Sequence, residues 1–241
     1  MKFSILTPSY NSARYIKRAI NSVLAQEYTN WEHIIIDGSS TDNTVEILKS
    51  FPHLNWLSEP DKGQSDAMNK AFAKSTGDII IYLNADDELG ENVLTYYAEA
   101  FNSNAQYDMI VANLEVNHSG VKSINSPSIN LRQILNYWPC IFPANPVSYA
   151  YKRGLQKRVG TFPVSNHYSM DYWFLLRAFT KGKTLKKDFV AGTFYFDGLN
   201  KSANAENSEH WLRLVRNRFL INYFYYPDVF KYIIRKYIIT A

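Results

Sequence analysis

Two adjacent carboxylates, Asp86 and Asp87, follow an apolar run, Ile79-Ile80-Ile81-Tyr82-Leu83, and the pair Asn84-Ala85. Like charges side by side repel and raise each other's pKa, so a cation is the natural offset. Mg²⁺ and Mn²⁺ are hard ions that take one or two carboxylates and fill the shell with phosphate oxygens and water. The same pair read alone is also an ordinary solvated turn or helix cap. Three further groups could do chemistry: Asp37-Gly38, Lys62-Gly63 with Asp66, and Asp171. Read alone, Asp37-Gly38 is an ordinary turn. Lys62-Gly63 is a turn with a solvated lysine, and Asp171 is a first-turn helix acid. A thiolate zinc cage is excluded by a single cysteine, Cys140, and the five histidines show no ligand spacing. Cys140 lies among Trp138, Pro139, Ile141 and Phe142 and reads as a small buried apolar residue. His33 reads as packed beside its strand.

The elements that must position these groups are legible in the apolar pattern. "KFSIL" reads as a strand that Pro8 ends, since proline cannot donate to a ladder. Ile16, Ala19, Ile20, Val23 and Leu24 fall on one helix face, with Asn11 or Ser12 as cap. "WEHIIID" is a second strand. "TDNTVEILKSF" is a helix with Val45, Leu48 and Phe51 inward and Ser40 or Thr41 as cap. "NWLSE" is a third strand, "SDAMNKAFAKSTG" a helix closed by Gly77, and "DIIIYL" a fourth strand. This alternation predicts a parallel sheet covered by helices on both faces. In such sheets ligands bind beyond the C-terminal strand ends. Thr7-Pro8-Ser9-Tyr10, Asp37-Gly38 and Asp86-Asp87 all gather on that rim. The second half is less regular. "NVLTYYAEAF", "LRQILNY" and "MDYWFLLRAFTKG" read as helices, while "YDMIVANLEV", "VSYAYK" and "AGTFYF" read as strands.

A length of 241 residues fits one large domain or a domain with an extension, and 46% apolar residues suffice for a core. No apolar run reaches the length of a membrane span, and Thr7, Pro8 and Ser9 interrupt the N-terminus too early for a signal-peptide core. The expectation is a cytoplasmic protein.

Several phrases in order resemble the family 2 glycosyltransferases, inverting enzymes of the GT-A fold. They are "TPSYNSARYIKRAINSVLAQEYTNWEHIIIDGSSTDNTVEIL", "PDKGQSDAMNKAFAKSTGDIIIYLNADD", "YKRGLQKRVGTF", "YSMDYWFLLRAF" and "FYFDGLNKS". The resemblance implies an α/β Rossmann-like, mostly parallel sheet flanked by helices. It implies a transferase domain over 1–205, with a nucleotide-sugar half to about 115 and an acceptor half over 116–205. By it Asp37 would bind the nucleotide base, with Thr7, Pro8, Tyr10 and Gly38 lining the same pocket. Lys62, Gly63 and Asp66 would lie over the nucleotide-sugar. Asp86 and Asp87 fall on the acidic Mn²⁺ or Mg²⁺ motif, with the direct metal contact on Asp87 and Asp86 nearer the sugar or ribose. Asp171 falls on the general base, ionised by the dipole of its helix. The donor would be a nucleoside-diphosphate sugar, by default a UDP-sugar, and the acceptor a glycan or lipid-linked hydroxyl in bacterial surface polysaccharide or glycolipid synthesis. Two departures stand out: Asn84 replaces a common acid, and "FYFDGLNKS" lacks a double glycine. A sugar-nucleotide nucleotidyltransferase and a non-catalytic sugar-nucleotide-binding relative are the alternatives.

Residues 206–241 form a helical extension rich in Tyr, Phe and Ile, and after Trp211 six basic residues face one acid, Asp228. Such a tail suits a peripheral contact with the inner-membrane surface. Packing on the domain or a homodimer contact are the other readings. Pro227 splits it into two short helices, and no nucleic-acid-binding motif appears.

Overall fold

A computed structural model describes residues 1–136, 145–198 and 205–238 of the chain. Cys140 lies outside the described residues. The first half runs β1 (Phe3–Ser9), α1 (Ile16–Leu24), β2 (Trp31–Asp37), α2 (Thr44–Lys49), β3 (Asn55–Ser58), α3 (Gln64–Lys74) and β4 (Ile79–Tyr82). β2 and β4 pair with β1 on opposite sides, and β3 pairs with β2, all parallel. Strand order therefore reverses between β1 and β4, and a crevice opens there at their C-terminal ends. Both sheet faces are covered. Leu6, Ile34, Ile36, Ile80 and Tyr82 pack with α3 on one face, and Phe3, Ile5, Ile79 and Ile81 pack with α1 on the other. Because side chains alternate along a strand, burial on both faces demands the continuous apolar runs seen in the sequence.

The second half holds β5 (Glu88–Leu89), α4 (Val93–Ser103), β6 (Met109–His118), β7 (Val121–Asn125) and α5 (Leu131–Asn136). β8 (Tyr149–Lys152), α6 (Arg153–Val159), α7 (Met170–Lys181) and β9 (Thr184–Phe196) follow, then α8 (Ala205–Tyr223) and α9 (Pro227–Ile233). β8 continues the sheet antiparallel to β4, and β6 and β9 extend it to β5 in the order β3-β2-β1-β4-β8-β6-β9-β5. The result is the expected α/β sheet, parallel in its first half and mixed in its second. β5 and β7 are short or exposed, and neither shows an apolar run that would betray it. β9 is more than twice the length that "AGTFYF" suggests, because its first half carries lysines.

Local details differ from the sequence expectations. Of the α1 face, Leu24 is exposed and only Ile16, Ala19, Ile20 and Val23 are buried. α1 has no side-chain cap, and Ser12 instead accepts its first amides through the main-chain oxygen, from Tyr15 and Ile16. Asp42, not Ser40 or Thr41, meets the Thr44 amide at the start of α2, at 3.0 Å. α3 stops at Lys74 before Gly77. Gly77 is needed for close approach: a Cβ there would sit 2.7 Å from the Ser4 nitrogen and 2.8 Å from the Lys2 oxygen. The tail packs on the domain through Leu212, Phe219, Leu220, Val229 and Tyr232, which join the core of the α3 face. Pro227 opens α9 as expected. No helix among the described residues is long and apolar enough to cross a membrane.

Candidate active site

A cavity of about 760 Å³ opens at the C-terminal ends of β1 and β4, within the size range of small-molecule sites. Pro8, Tyr10, Gly38, Gly63, Asp86 and Asp171 all line it, so positions far apart in the chain converge as the rim argument requires. Thr7, Asp37, Lys62, Asp66 and Asp87 are not on its wall. Thr7, Asp37 and Asp87 are buried, Asp66 is partly buried and Lys62 is exposed, and their contacts show what each does.

Asp37 ends β2 fully buried. Its carboxylate accepts the Ser40 amide at 2.9 Å, the Ser40 hydroxyl at 2.5 Å and the Ser58 hydroxyl at 2.7 Å. It thereby ties the Gly38 turn to the end of β3. Thr7 Oγ1 shares a hydrogen bond with His33 Nε2 at 3.0 Å, and burial pushes the His33 imidazole down to about 3, so the ring is neutral. The Lys62 amide donates to Asp66 Oδ2 at 3.1 Å at the start of α3, and Asp66 faces Lys70 at 3.6 Å. Gly63 adopts φ +102°, a backbone region that side chains disfavour, and so turns the chain into α3.

Asp61 was missed by the sequence reading, although it stands inside the quoted "PDKG". Its Oδ1 accepts the Gly63 amide at 2.7 Å, and its Oδ2 would lie 2.7 Å from a Cβ at Gly38. A side chain at 38 would crowd this carboxylate, which itself lines the cavity.

The two adjacent acids have different surroundings. Asp86 lines the cavity, and its main-chain oxygen accepts from Arg18 at 2.5 Å. Asp87 is fully buried and accepts from Asn84 Nδ2 at 2.9 Å, Asn145 Nδ2 at 2.7 Å and the Tyr195 amide at 3.3 Å. Burial, and then the neighbouring Asp86, hold its carboxyl well above the ordinary carboxylate range. Asn84 is thus a donor to Asp87, and its oxygen is taken by Gln64 Nε2 at 3.1 Å. The backbone supporting the pair rests on β9. A Cβ at Gly192 would lie 2.3 Å from the Glu88 oxygen, so only glycine lets β5 close onto β9 directly after the acids. Asn145 is a second missed residue. It is buried at the cavity wall, and its Oδ1 also accepts the Val147 amide at 2.9 Å.

A dication bridging a diphosphate needs only one or two protein carboxylates. Asp86 on the wall with Asp87 behind it fits that number. No group of three or more His, Cys, Asp or Glu able to hold a metal by protein ligands alone occurs among the described residues.

Asp171 sits in the first turn of α7 on the cavity wall. Its Oδ1 is buried and has no hydrogen-bond partner among the described residues. The dipole of α7 was expected to favour the charged form, but desolvation outweighs it and pushes the carboxyl up to about 7. A buried acceptor aimed at an open cavity, with a pKa near neutrality, is what proton abstraction requires.

Comparison with known proteins bears on the family and the fold. The chain is 30% identical over 180 residues to an uncharacterized glycosyltransferase of Nostoc sp., covering 68% of this chain and 54% of that protein. It is 29% identical over 129 residues to the poly(ribitol-phosphate) beta-N-acetylglucosaminyltransferase TarS of Staphylococcus aureus, covering 50% of this chain and 22% of TarS. The chain thus spans about half or less of these relatives' own length. The crystal structure of TarS 1–349 with UDP-GlcNAc superposes with TM-score 0.74 at 20% identity, over 92% of this chain and 67% of that one. A mannosyltransferase from Pyrobaculum calidifontis, in complex with GDP-Man and Mn²⁺, superposes with TM-score 0.58 at 18% identity, over 98% of this chain and 64% of that one. The model of glycosyl transferase family 2 matches residues 4–206. The chain belongs to glycosyl transferase family 2 and has its GT-A fold.

Proposed function

We propose that this protein transfers a sugar, with inversion, from a UDP-sugar to a hydroxyl of a glycan or lipid-linked acceptor in bacterial surface polysaccharide or glycolipid synthesis. The observation that carries the reading is Asp171, whose buried oxygen has no partner among the described residues and shares one cavity with Asp86. Ionised Asp171 takes the proton of the acceptor hydroxyl. The hydroxyl oxygen attacks the anomeric carbon from the face opposite the diphosphate. The bond from that carbon to the diphosphate oxygen breaks in the same displacement, and the nucleoside diphosphate leaves. One base and one displacement invert the centre, and a positioned base contributes about 10² to 10⁴ in rate.

The nucleoside lies at the end formed by Pro8, Tyr10 and Gly38, where Tyr10 is 63% exposed and offers an aromatic face. Asp37 and Thr7 hold this end from behind, Asp37 through the Gly38 turn and Thr7 through His33. Gly63 brings the start of α3 over the donor, and Lys62 and Asp66 fix that start. Asp86 faces the diphosphate, and Mn²⁺ or Mg²⁺ would be held there by Asp86 with support from Asp87, rather than by the direct contact with Asp87 that the resemblance implies, because Asp87 is fully buried and off the cavity wall. When bound, such an ion stabilises the negative charge that develops on the leaving diphosphate. UDP-GlcNAc bound by TarS supports the choice of a UDP donor.

Calorimetry with UDP, GDP, dTDP and CDP, with and without Mn²⁺, on wild type and Asp86→Ala tests the donor site. Selective UDP binding that strengthens with Mn²⁺ and weakens in the variant is expected. Absence of binding by every nucleotide overturns the reading.

A further inference from the structure

The charge of this chain is unevenly placed. After Trp211 six basic side chains face one acid, whereas the residues up to Trp211 sum to −1. The whole positive excess therefore lies on α8, α9 and the turn that follows them. These helices bury one side in the core through Leu212, Phe219, Leu220, Val229 and Tyr232. Their other side does not look like a solvated face. Ile221 is 74% exposed, Phe224 58%, Tyr225 65% and Phe230 52%, and exposed Arg218 and Lys231 stand among them. Four large exposed apolar groups fall within ten residues around the α8–α9 turn, a clustering of the kind that marks an interaction surface.

We infer that this patch docks on the surface of an anionic lipid bilayer. Aromatic side chains enter the headgroup region while basic ones meet anionic lipids, and neither group needs a spanning helix. Charge decides against a second copy of the chain as occupant, since a two-fold contact would set the same basic face against itself. The position of the patch also fits the active site. Leu212 of α8 lines the catalytic cavity, and Ile221 lies nine residues further along the same helix, about 14 Å at the helical rise. A docked α8 places the cavity within reach of an acceptor held in the membrane. This last step rests on the transfer reading above, while the docking does not.

Cosedimentation with phosphatidylcholine vesicles, with and without phosphatidylglycerol and at low and high salt, tests the docking on the full chain. Two variants isolate the terms: Ile221→Ser/Phe224→Ser/Tyr225→Ser and Arg218→Gln/Lys231→Gln. Wild type is expected to pellet with the anionic vesicles only, and less in high salt. The charge variant should lose about 25-fold in partitioning, at roughly five-fold per basic residue. The apolar variant should no longer pellet. Both should bind UDP as wild type does, because none of the five residues lines the cavity. Wild type that stays in the supernatant, or variants that pellet like wild type, overturn the inference. A wild-type dimer in sedimentation equilibrium that the apolar variant dissociates, with no vesicle binding, assigns the patch to a second copy instead. Vesicle binding without any nucleotide binding would refute the transfer reading and leave the docking standing.

Discussion

Replacing Asp171 with Asn separates a buried base from a merely structural acid, because activity and stability should move in opposite directions. Burial raises the Asp171 carboxyl from the ordinary 3.8 to about 7. Among the described residues burial is the one cause of this rise, and Tyr82, Tyr149 and Tyr151, which feel its field, are themselves pushed further from ionisation by burial. The folded chain therefore keeps this proton at pH values where the unfolded chain has lost it. The associated stability is complete below the unfolded value, falls as pH rises toward 7, and is flat above. Between pH 5 and pH 8 a fully desolvated group would cost wild type ~2.5 kcal/mol that the uncharged Asn does not incur. Asp171 is only half-buried as a residue, so a difference of ~1–2.5 kcal/mol is expected, or roughly 2–10 °C in Tm for a chain of this size. In transfer assays Asp171→Asn should lose about 10² to 10⁴ in kcat. In wild type, kcat/KM at pH 6 should be about a tenth of its plateau, since only that fraction of a base near pKa 7 is ionised. The assays are paired thermal melts at pH 5 and 8 and a pH–rate profile for wild type. A melt difference that does not change with pH, or transfer by Asp171→Asn near the wild-type rate, refutes the reasoning.

Three further outcomes follow from particular contacts. Asn145→Ala removes the 2.7 Å amide donor to buried Asp87 and should cost ~1–3 kcal/mol in urea unfolding; an unchanged midpoint would show that the carboxylate does not depend on it. Asn84→Asp replaces a 2.9 Å donor to Asp87 with a third acid, so it should lower Tm in EDTA yet gain more Tm than wild type on adding Mn²⁺; equal gains would argue against a metal at this pair. Phe219→Ala should cost ~3–5 kcal/mol, because Phe219 is fully buried where α8 meets the domain; a loss under 1 kcal/mol would show the tail to be separable.

How much of this was legible in the sequence depends on the kind of contact involved. The first half could be read because β1, β2 and β4 are buried on both faces, and a continuous apolar run as short as Ile34-Ile35-Ile36 between polar turns suits a doubly covered strand better than a helix. The rim could be read because parallel strands place their C-terminal ends together, and this brought Pro8, Gly38 and Asp86 to one cavity. Asp171 came from the resemblance, since nothing local separates a first-turn acid from a base. Asp61 and Asn145 were not found because their roles are tertiary. Asp61 packs against Gly38, 23 residues away in the chain, and Asn145 lies 58 residues from the carboxylate it meets. β5 was invisible because two residues carry no period, and its pairing rests on the space that Gly192 leaves.

The adjacent acids show why spacing alone cannot assign roles within a motif. Asp86 and Asp87 share a sequence environment, yet one lines the cavity and the other is sealed behind it. The difference comes from a chain that leaves β4, turns at Asn84 and enters β5, so that successive side chains point to opposite sides of the turn. Donors then gather where water cannot reach: two amide side chains and one backbone amide surround Asp87. This makes sense of Asn84. An acid at that position would put a third negative charge beside a carboxyl that burial already pushes toward its neutral form, whereas an amide supplies a hydrogen bond. The departure at 84 is therefore compatible with a working site rather than a sign of a degenerate one. Its consequence is that Asp86 is the one acid of this motif that faces the cavity.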